Sequence, residues 1–392
     1  MIEENKIIHI ASDEKFIDSA YWQFEQVFPG RNLFYLLVHD CSKALKYVKI
    51  NERIKLIKNN IKTLKDLPKV FDNAMIICFH GLDYHKSVVL NSTPSKYKIL
   101  WMLWGTEFYN NPLIFNQKDI IGQQTYNTYL IKNPKDALMA NFKDLFRQSI
   151  YRIKNNTNSP SKEVANAMKK ADYCGILYKE EYDLIKTKVD SNLKYFKFSY
   201  YPIEKMVLKD NHMVRLDNIL LGNSASYTNN HLEAFQILRK LSLGDRKIIT
   251  PLSYGDENYK FSTIKAGKSV LKNNFKPLID FMPVHKYNEY LLQCGIVIMN
   301  HYRQQAVGNV VTMLFMGAKV YLNEKNTLFK YLKSLNVYVY SISEDLIATN
   351  NKCFELLTNA QQLHNRNIVY KEIGQEILIS ELASQFEEIN KF

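Results

Sequence analysis

The sequence predicts an α/β protein of two domains, each an open parallel sheet covered by helices. Three observations predict it. Short apolar runs end at glycine or at a polar loop and alternate with stretches of helical apolar spacing, the pattern of buried parallel strands joined by crossovers. At 392 residues the chain is too long for a single core. The alternation stops over residues 204–218, a charged segment that reads as a linker, and then restarts. These bounds place a first domain over residues 1–205 and a second over 215–369, with the stretch from about 370 to 392 expected to pack back on the first.

In the first domain, residues 6–10 read as a strand, and residues 13–28 as a helix with Phe16, Ala20 and Phe24 on one face. A buried strand over 33–38 leads into a basic stretch expected to be helical. Strands over 74–79 and 98–104 stop at His80-Gly81 and at Gly105. Ligand sites of open α/β sheets lie at such carboxyl ends, which singles out His80-Gly-Leu-Asp83 and Gly105-Thr-Glu107. Residues 110–170 read as mostly helical, with Phe142, Phe146 and Ile150 at helical spacing and arginines among the aromatics, a pattern of core or of a membrane-surface helix. A further strand is expected at 176–178.

The second domain opens with a strand over 218–221 that runs into Gly222-Asn-Ser-Ala-Ser226. Small residues there let a phosphate approach the backbone. Thr228 is the expected N-cap of a helix carrying Leu232, Phe235 and Leu238. A strand over 247–250 ends in a loop with Tyr254. The richest stretch is 294–324. A strand over 295–299 passes through Asn300-His-Tyr-Arg-Gln-Gln305 to Gly308, a helix ends at Gly317, and a strand follows over 319–322. That order aims a helix N-terminus, with its unpaired N–H groups, at the carboxyl edge of the sheet, where diphosphates bind. Arg303 adds a fixed cation. Four strand ends, near Gly222, Tyr254, Asn300 and Asn323, are expected to converge on one cleft.

Composition narrows the class. The formal charge is +13, with basic clusters at Lys43–Lys65 and Arg147–Lys170 that suit an anionic membrane surface or a polyprenyl diphosphate. Nucleic acid is disfavoured, because no helix-turn-helix, zinc finger or RNA-binding signature accompanies the charge. No apolar run spans a bilayer and no signal pattern opens the chain. Five scattered cysteines indicate neither zinc nor disulfides, hence a reducing, cytoplasmic setting. Two Rossmann-like domains facing a central cleft, a phosphate-binding second half and no Asp-x-Asp metal motif suggest the GT-B glycosyltransferase architecture, with no cofactor or metal expected.

The residues carry a resemblance as well. Gly222-Asn-Ser with Asn230-His231, Pro251 with Tyr254-Gly255, Arg303-Gln304-Gln305 with Gly308, and Gly317-Ala-Lys-Val-Tyr-Leu-Asn323 resemble the TDP-N-acetylfucosamine:lipid II N-acetylfucosaminyltransferases, glycosyltransferase family 56. His80-Gly81, Trp101-Met-Leu-Trp-Gly105 and Phe108-Tyr109 are similar to motifs of the same family. The resemblance implies a GT-B fold, a dTDP-sugar donor and a polyprenyl-diphosphate-linked acceptor. It further implies peripheral association with the cytoplasmic face of the inner membrane and a role in enterobacterial common antigen or related surface glycans. Glu107 where an aspartate is expected, Ala306-Val307 in place of Gly-Ile, and a longer 110–141 region depart from the family pattern.

Transfer requires an activated acceptor hydroxyl and a neutralised leaving diphosphate. Gly222, Asn223, Ser224, Tyr254, Arg303, Gln304, Gln305, Gly308, Asn309, Asn323 and Glu324 are the candidates for nucleotide-diphosphate binding. Trp104, Gly105 and Thr106 are candidates for the acceptor. Glu107, His80 and Asp83 are the candidate bases, with His80 reading equally as a structural histidine and Glu107 as a helix N-terminal charge. A dTDP- or UDP-sugar transferase building a surface polysaccharide is weighed against a non-catalytic nucleotide-binding scaffold protein of a glycan assembly complex.

Overall fold

The computed structural model describes residues 6–130, 146–189, 192–207, 213–347, 349 and 352–390. The chain divides into two compact units, one of Met1–Phe115, Lys132–Tyr201 and Glu376–Phe392, the other of Asn116–Ile131 and Pro202–Gln375.

In the first unit, β1 (Lys6–Ala11), β2 (Asn32–Val38), β3 (Ile54–Lys58), β4 (Ala74–His80), β5 (Ile99–Met102), β6 (Tyr173–Ile176) and β7 (Lys194–Lys197) form a parallel sheet in the order β3-β2-β1-β4-β5-β6-β7. Strand succession reverses direction between β1 and β4, so a crevice opens at their carboxyl ends. β3 lies in the basic stretch expected to be helical. It is an edge strand whose exposed Lys55 and Lys58 guard its open side, and a helix follows only at Ile61–Asp66. β6 begins three residues before the expected strand because Gly175 lies against β5. A Cβ there would meet Met102 Sδ at 2.4 Å.

The last helix, Gln375–Asn390, is part of this unit. Leu382, Phe386 and Ile389 join Phe24, Ile76 and Leu100 in one buried cluster. Each such side chain contributes roughly 1.5–3 kcal/mol by leaving water. Gln385 accepts the Lys197 N–H at 2.5 Å and donates to its carbonyl at 2.9 Å, so this helix satisfies the open ladder of edge strand β7.

Beneath the crevice runs a buried polar chain. Asn32 donates its amide N–H groups to Glu25 and to the Phe28 carbonyl, which leaves its Oδ1 as the acceptor for His9 Nε2, 3.4 Å away. His9 Nδ1 therefore accepts from His80 Nε2 at 3.0 Å, and His80 Nδ1 accepts from the Tyr200 hydroxyl at 2.9 Å. The Tyr200 oxygen in turn accepts the Trp104 indole N–H at 2.8 Å. One direction of donation runs through every group, and both imidazoles are neutral. Burial pushes His9 down to about 3 and His80 well below its ordinary value.

In the second unit, β8 (Ile219–Leu221), β9 (Ile248–Pro251), β10 (Phe275–Leu278), β11 (Ile296–Met299), β12 (Lys319–Leu322) and β13 (Val339–Ser341) pair in parallel in the order β10-β9-β8-β11-β12-β13. The reversal falls between β8 and β11. Residues 116–131, which the sequence reading places in the first domain, pack here. Gly122 donates its N–H to Asn230 Oδ1 at 2.7 Å, and Thr125 donates its N–H and hydroxyl to the Glu233 carboxylate at 2.8 and 2.5 Å. Thr228 is not an N-cap. A turn over Tyr227–Asn229 precedes the helix His231–Leu238, and Asn230 between them adopts φ 51. A short helix, Ile203–Met206, overlaps the start of the expected linker. Phe142 of the expected 110–170 helical region lies outside the described residues.

Neutral buried histidines dictate a pH dependence. The unfolded chain binds protons near pH 6.5 that the folded chain refuses until about pH 3 at His9, so stability rises with pH across that window and is lost as pH falls through it. Urea melts should show stability dropping between pH 6 and 5. His9→Gln should flatten that slope by about 1.4 kcal/mol per pH unit. Superimposable slopes would mean that His9 takes up its proton in the fold.

Candidate active site

The second unit gathers its candidates at the carboxyl ends of β8, β9, β11 and β12. Gly222, at φ 68, turns the chain out of β8. A Cβ there would lie 2.6 Å from Asn229 Oδ1 and 2.8 Å from His231 Nε2, so only glycine fits. Asn229, buried to 1% exposure, links two of the loops. Its Oδ1 accepts the Asn223 N–H at 2.8 Å and His301 Nε2 at 2.9 Å, while its Nδ2 donates to Ser224 Oγ and to the Ser226 carbonyl.

A second chain of bonds crosses the surface above it. Thr228 donates to Gln305 Oε1 at 2.6 Å, Gln305 donates to Asn223 Oδ1 at 3.0 Å, and Asn223 donates to the Tyr254 hydroxyl at 3.1 Å. Asn323 donates to Asn300 Oδ1 at 2.9 Å. The four strand-end loops around Gly222, Tyr254, Asn300 and Asn323 are thus tied together by side-chain amides.

The helix Val307–Phe315 starts beside this network. Ala306 precedes it at φ 56, and the first intrahelical bond is made by the Val310 N–H to the Ala306 carbonyl, leaving the N–H groups of Val307, Gly308 and Asn309 outside that ladder. Gly308 has no neighbour closer to a built Cβ than Met206 Sδ at 3.6 Å, so packing does not demand glycine there. Arg303, 8% exposed, donates from Nη1 to the Gln304 carbonyl at 2.9 Å. Burial, and after it the Arg303 charge, holds His301 well below its ordinary value, so this imidazole is neutral.

Glu324 is engaged differently from a ribose ligand. Its Oε1 accepts from the Ser341 and Ser343 hydroxyls and from the Ser343 N–H. Burial pushes its carboxyl up, but these bonds prevail and hold it below the carboxylate range. It braces the turn after β12 against β13. Asn229 and His301 were missing from the sequence-based candidates. The signal for Asn229 was the Asn-Asn-His triplet a few residues after the small-residue loop, and that for His301 was the polar run Asn300-His-Tyr-Arg-Gln-Gln305 after an apolar strand.

In the first unit, Gly81, Asp83, Trp104 and Glu107 meet at the crevice between β1 and β4 and the adjoining end of β5. Gly81, at φ 66, is pressed against the Trp104 indole, where a Cβ would meet ring carbon at 2.6 Å. Buried Lys86 pairs with Asp83 Oδ2 at 3.0 Å, donates to Ser12 Oγ at 3.2 Å and sits 4.4 Å over the Trp104 ring. Asp83 also caps the helix Tyr84–Ser92, accepting the Lys86 N–H at 2.9 Å. Burial would raise its carboxyl, but the Lys86 charge and bonds pull it below the usual range.

Glu107 Oε1 accepts the Trp101 indole N–H at 3.1 Å and the Trp104 N–H at 2.9 Å. Burial outweighs those bonds and pushes its carboxyl up. His80 is the structural histidine of the two readings. It is fully buried, both ring nitrogens are occupied within the polar chain, and no atom is left to reach a substrate hydroxyl. Gly105 takes φ 89 to start the short helix Thr106–Tyr109, and Thr106 is exposed.

Comparison with known proteins gives the family and the fold. The family model of the 4-alpha-L-fucosyltransferases, glycosyl transferase group 56, matches residues 174–372. The chain belongs to this family. As a whole this glycosyltransferase is also similar to solved GT-B structures. Sucrose-phosphate synthase from Thermosynechococcus elongatus aligns at 8% identity with a TM-score of 0.63, covering 98% of this chain and 99% of that one. A glycosyltransferase from Rickettsia africae aligns at 11% identity and 0.61, covering 99% of each chain. Anabaena HepE, solved with UDP and glucose, aligns at 9% identity and 0.61, covering 98% of this chain and 100% of that one. At such identities the likeness shows the fold, two Rossmann-like domains of GT-B type.

Two glycines of the glycosyltransferase should respond oppositely to one methyl group. Gly222→Ala forces a strained φ and a clash at 2.6 Å and should cost at least about 1–2 kcal/mol in urea unfolding. Gly308→Ala, inside a helix with open space, should be neutral or stabilise by about 0.5–1 kcal/mol. Equal effects at the two positions would contradict the assigned geometry.

Proposed function

We propose that this glycosyltransferase moves a deoxy-amino sugar or related hexose from a dTDP- or UDP-sugar to a polyprenyl-diphosphate-linked saccharide, in the synthesis of a bacterial surface polysaccharide such as enterobacterial common antigen. The observation that carries the donor half is the switch point of the second sheet. There the Gly222 turn, latched by Asn229, lies in one bonded network with the loop that carries Arg303 and opens the helix Val307–Phe315. N–H groups and a guanidinium are the equipment for two adjacent phosphates. HepE, a relative in fold, was solved with UDP and glucose, the two halves of such a donor.

In this reading the leaving diphosphate gathers charge as the sugar–oxygen bond breaks, and Arg303 with the Gly308 and Asn309 N–H groups stabilises it more in the transition state than before. The proposal assigns that charge to these protein groups. Asn223, Ser224, Gln304, Gln305 and Asn323 shape the donor site in this proposal, and Tyr254, 57% exposed, offers a ring face to the base. The acceptor half lies on the first unit. Environment drives its two carboxyls apart, Glu107 upward and Asp83 downward. Glu107 is therefore the proton acceptor in this proposal, while Asp83 stays ionised and orients.

The lipid-linked acceptor calls for a membrane face, and the helical residues 146–155 supply one. Phe146, Ile150 and Ile153 are exposed and lie on one stripe, the last at 84% exposure. Arg147 and Lys154 flank it on one side and Arg152 on the other, while the opposite face is turned inward, with Tyr151 against Tyr84 and Gln148 bonded to Asn158 and Ser159. An apolar stripe rimmed by cations is suited to lie in an anionic interface, each cation contributing about 1 kcal/mol. No helix among the described residues is long and apolar enough to cross a membrane.

A thermal-shift titration with dTDP, UDP, GDP, ADP and CMP, without divalent metal, tests the donor half. dTDP or UDP should raise the melting temperature selectively, and Arg303→Ala should abolish the rise. Binding without turnover of any dTDP- or UDP-sugar would instead favour the scaffold reading. The membrane half is tested by sedimentation with vesicles containing phosphatidylglycerol. Replacing Phe146, Ile150 and Ile153 together by serine should lower binding at least tenfold, and unchanged sedimentation would remove this helix from the membrane face.

A further inference from the structure

The first unit holds a cavity of about 370 Å³ that, Asp83 apart, none of the roles above uses. It lies at the carboxyl ends of β1 and β2 and beside the start of the helix Tyr84–Ser92, with Leu37, Val38 and Leu45 as its apolar lining. The loop after β2 forms one wall, and that wall is held in place. Asp13 accepts the successive backbone N–H groups of Lys46, Tyr47 and Val48 at 2.5, 3.0 and 3.0 Å, and Asp18 accepts that of Lys49 at 3.1 Å. A volume of this size with an apolar floor and a few fixed polar groups has the build of a small-molecule site.

Its polar groups define the ligand. Asn59 Nδ2, a donor only, faces His39 Nδ1 at 3.2 Å, so His39 carries its proton on Nε2 and offers a donor. The His85 ring stands edge-on to His39 at 6.2 Å, and its nitrogens make no hydrogen bond to the described residues. Asp83, 48% exposed at its side chain, and Asp40 add acceptors. Lys43 is the one cation in the lining, against the carboxylates of Asp13, Asp40 and Asp83, and the Lys86 ammonium nearby is already paired with Asp83. Such a balance repels phosphate. Closely spaced donors and acceptors of neutral or acidic type match vicinal hydroxyls, each of which donates once and accepts in return.

We propose that this cavity is a carbohydrate site, taking an uncharged sugar ring of the glycan acceptor with His39, Asn59, Asp83 and His85 as its hydrogen-bonding set. That the sugar belongs to the acceptor rests on the transfer reading above. That a sugar binds does not. The β2–β3 loop, anchored on Asp13, is then the wall that sets which sugar fits.

Saturation-transfer NMR on the full chain tests it, with the methyl glycosides of glucose, galactose and N-acetylglucosamine as probes. Transfer to at least one glycoside is expected, reduced at least fivefold in both His85→Ala and Asn59→Ala and retained in Arg303→Ala. These two positions hold no buried ion pair. Should either variant melt early, the imidazole resonance of His85, identified by its loss in His85→Ala, should still shift in the unaltered protein as the glycoside is added. No transfer to any of the three glycosides, or transfer unchanged in both cavity variants, overturns the proposal. Glycoside binding in a protein whose melting no nucleotide raises would uphold the cavity and remove the transfer reading instead.

Discussion

The candidate donor site depends on one buried amide. Asn229 lies at the switch point of the second sheet, where its four hydrogen bonds join the Gly222 loop to His301 and the loop after β11. A buried amide stripped of its partners costs about 1–3 kcal/mol, so the loops are held where Asn229 needs them. The Gly222 turn approaches so closely because no Cβ intervenes, and His301 is kept neutral and donating to Oδ1 by burial and by Arg303. Moving either loop would orphan polar atoms at the other.

The first unit meets the same requirement with different chemistry. Its strand order has the same reversal, yet its crevice is floored by a one-way chain of neutral groups from Asn32 through His9, His80 and Tyr200 to Trp104. Above that floor stand carboxylates and imidazoles, whereas the second unit presents amides, free helix N–H groups and a guanidinium. Two copies of one topology thus present opposite electrostatic faces. A face of N–H groups and Arg303 suits a diphosphate, and a face of Asp83, Glu107 and histidines suits hydroxyls and their protons.

The legible elements were those whose signal is local. Central strands such as β4 and β11 are continuous apolar runs ended by His80-Gly81 or Asn300, and they read correctly. β3, β7, β10 and β13 did not, because an edge strand buries only part of itself and its lysines or its three-residue length break the pattern. Residues 116–131 were misplaced for a related reason. Their place is decided by bonds from Gly122 and Thr125 to Asn230 and Glu233, more than a hundred positions away, which no local period encodes.

The sequence by itself determined the fold class, the family and the loops that make up the candidate site, since apolar period, glycine placement and the Arg303-Gln304-Gln305 run are properties of contiguous residues. Tertiary structure decided the roles within those loops. It buried His80 with both ring nitrogens occupied, turned Glu324 to bracing serines, made Asn229 the link between loops, and brought His39, Asn59 and His85 around one open cavity. Burial, hydrogen-bond direction and the resulting protonation state are set by neighbours far along the chain, and they exist only once the sheets have formed.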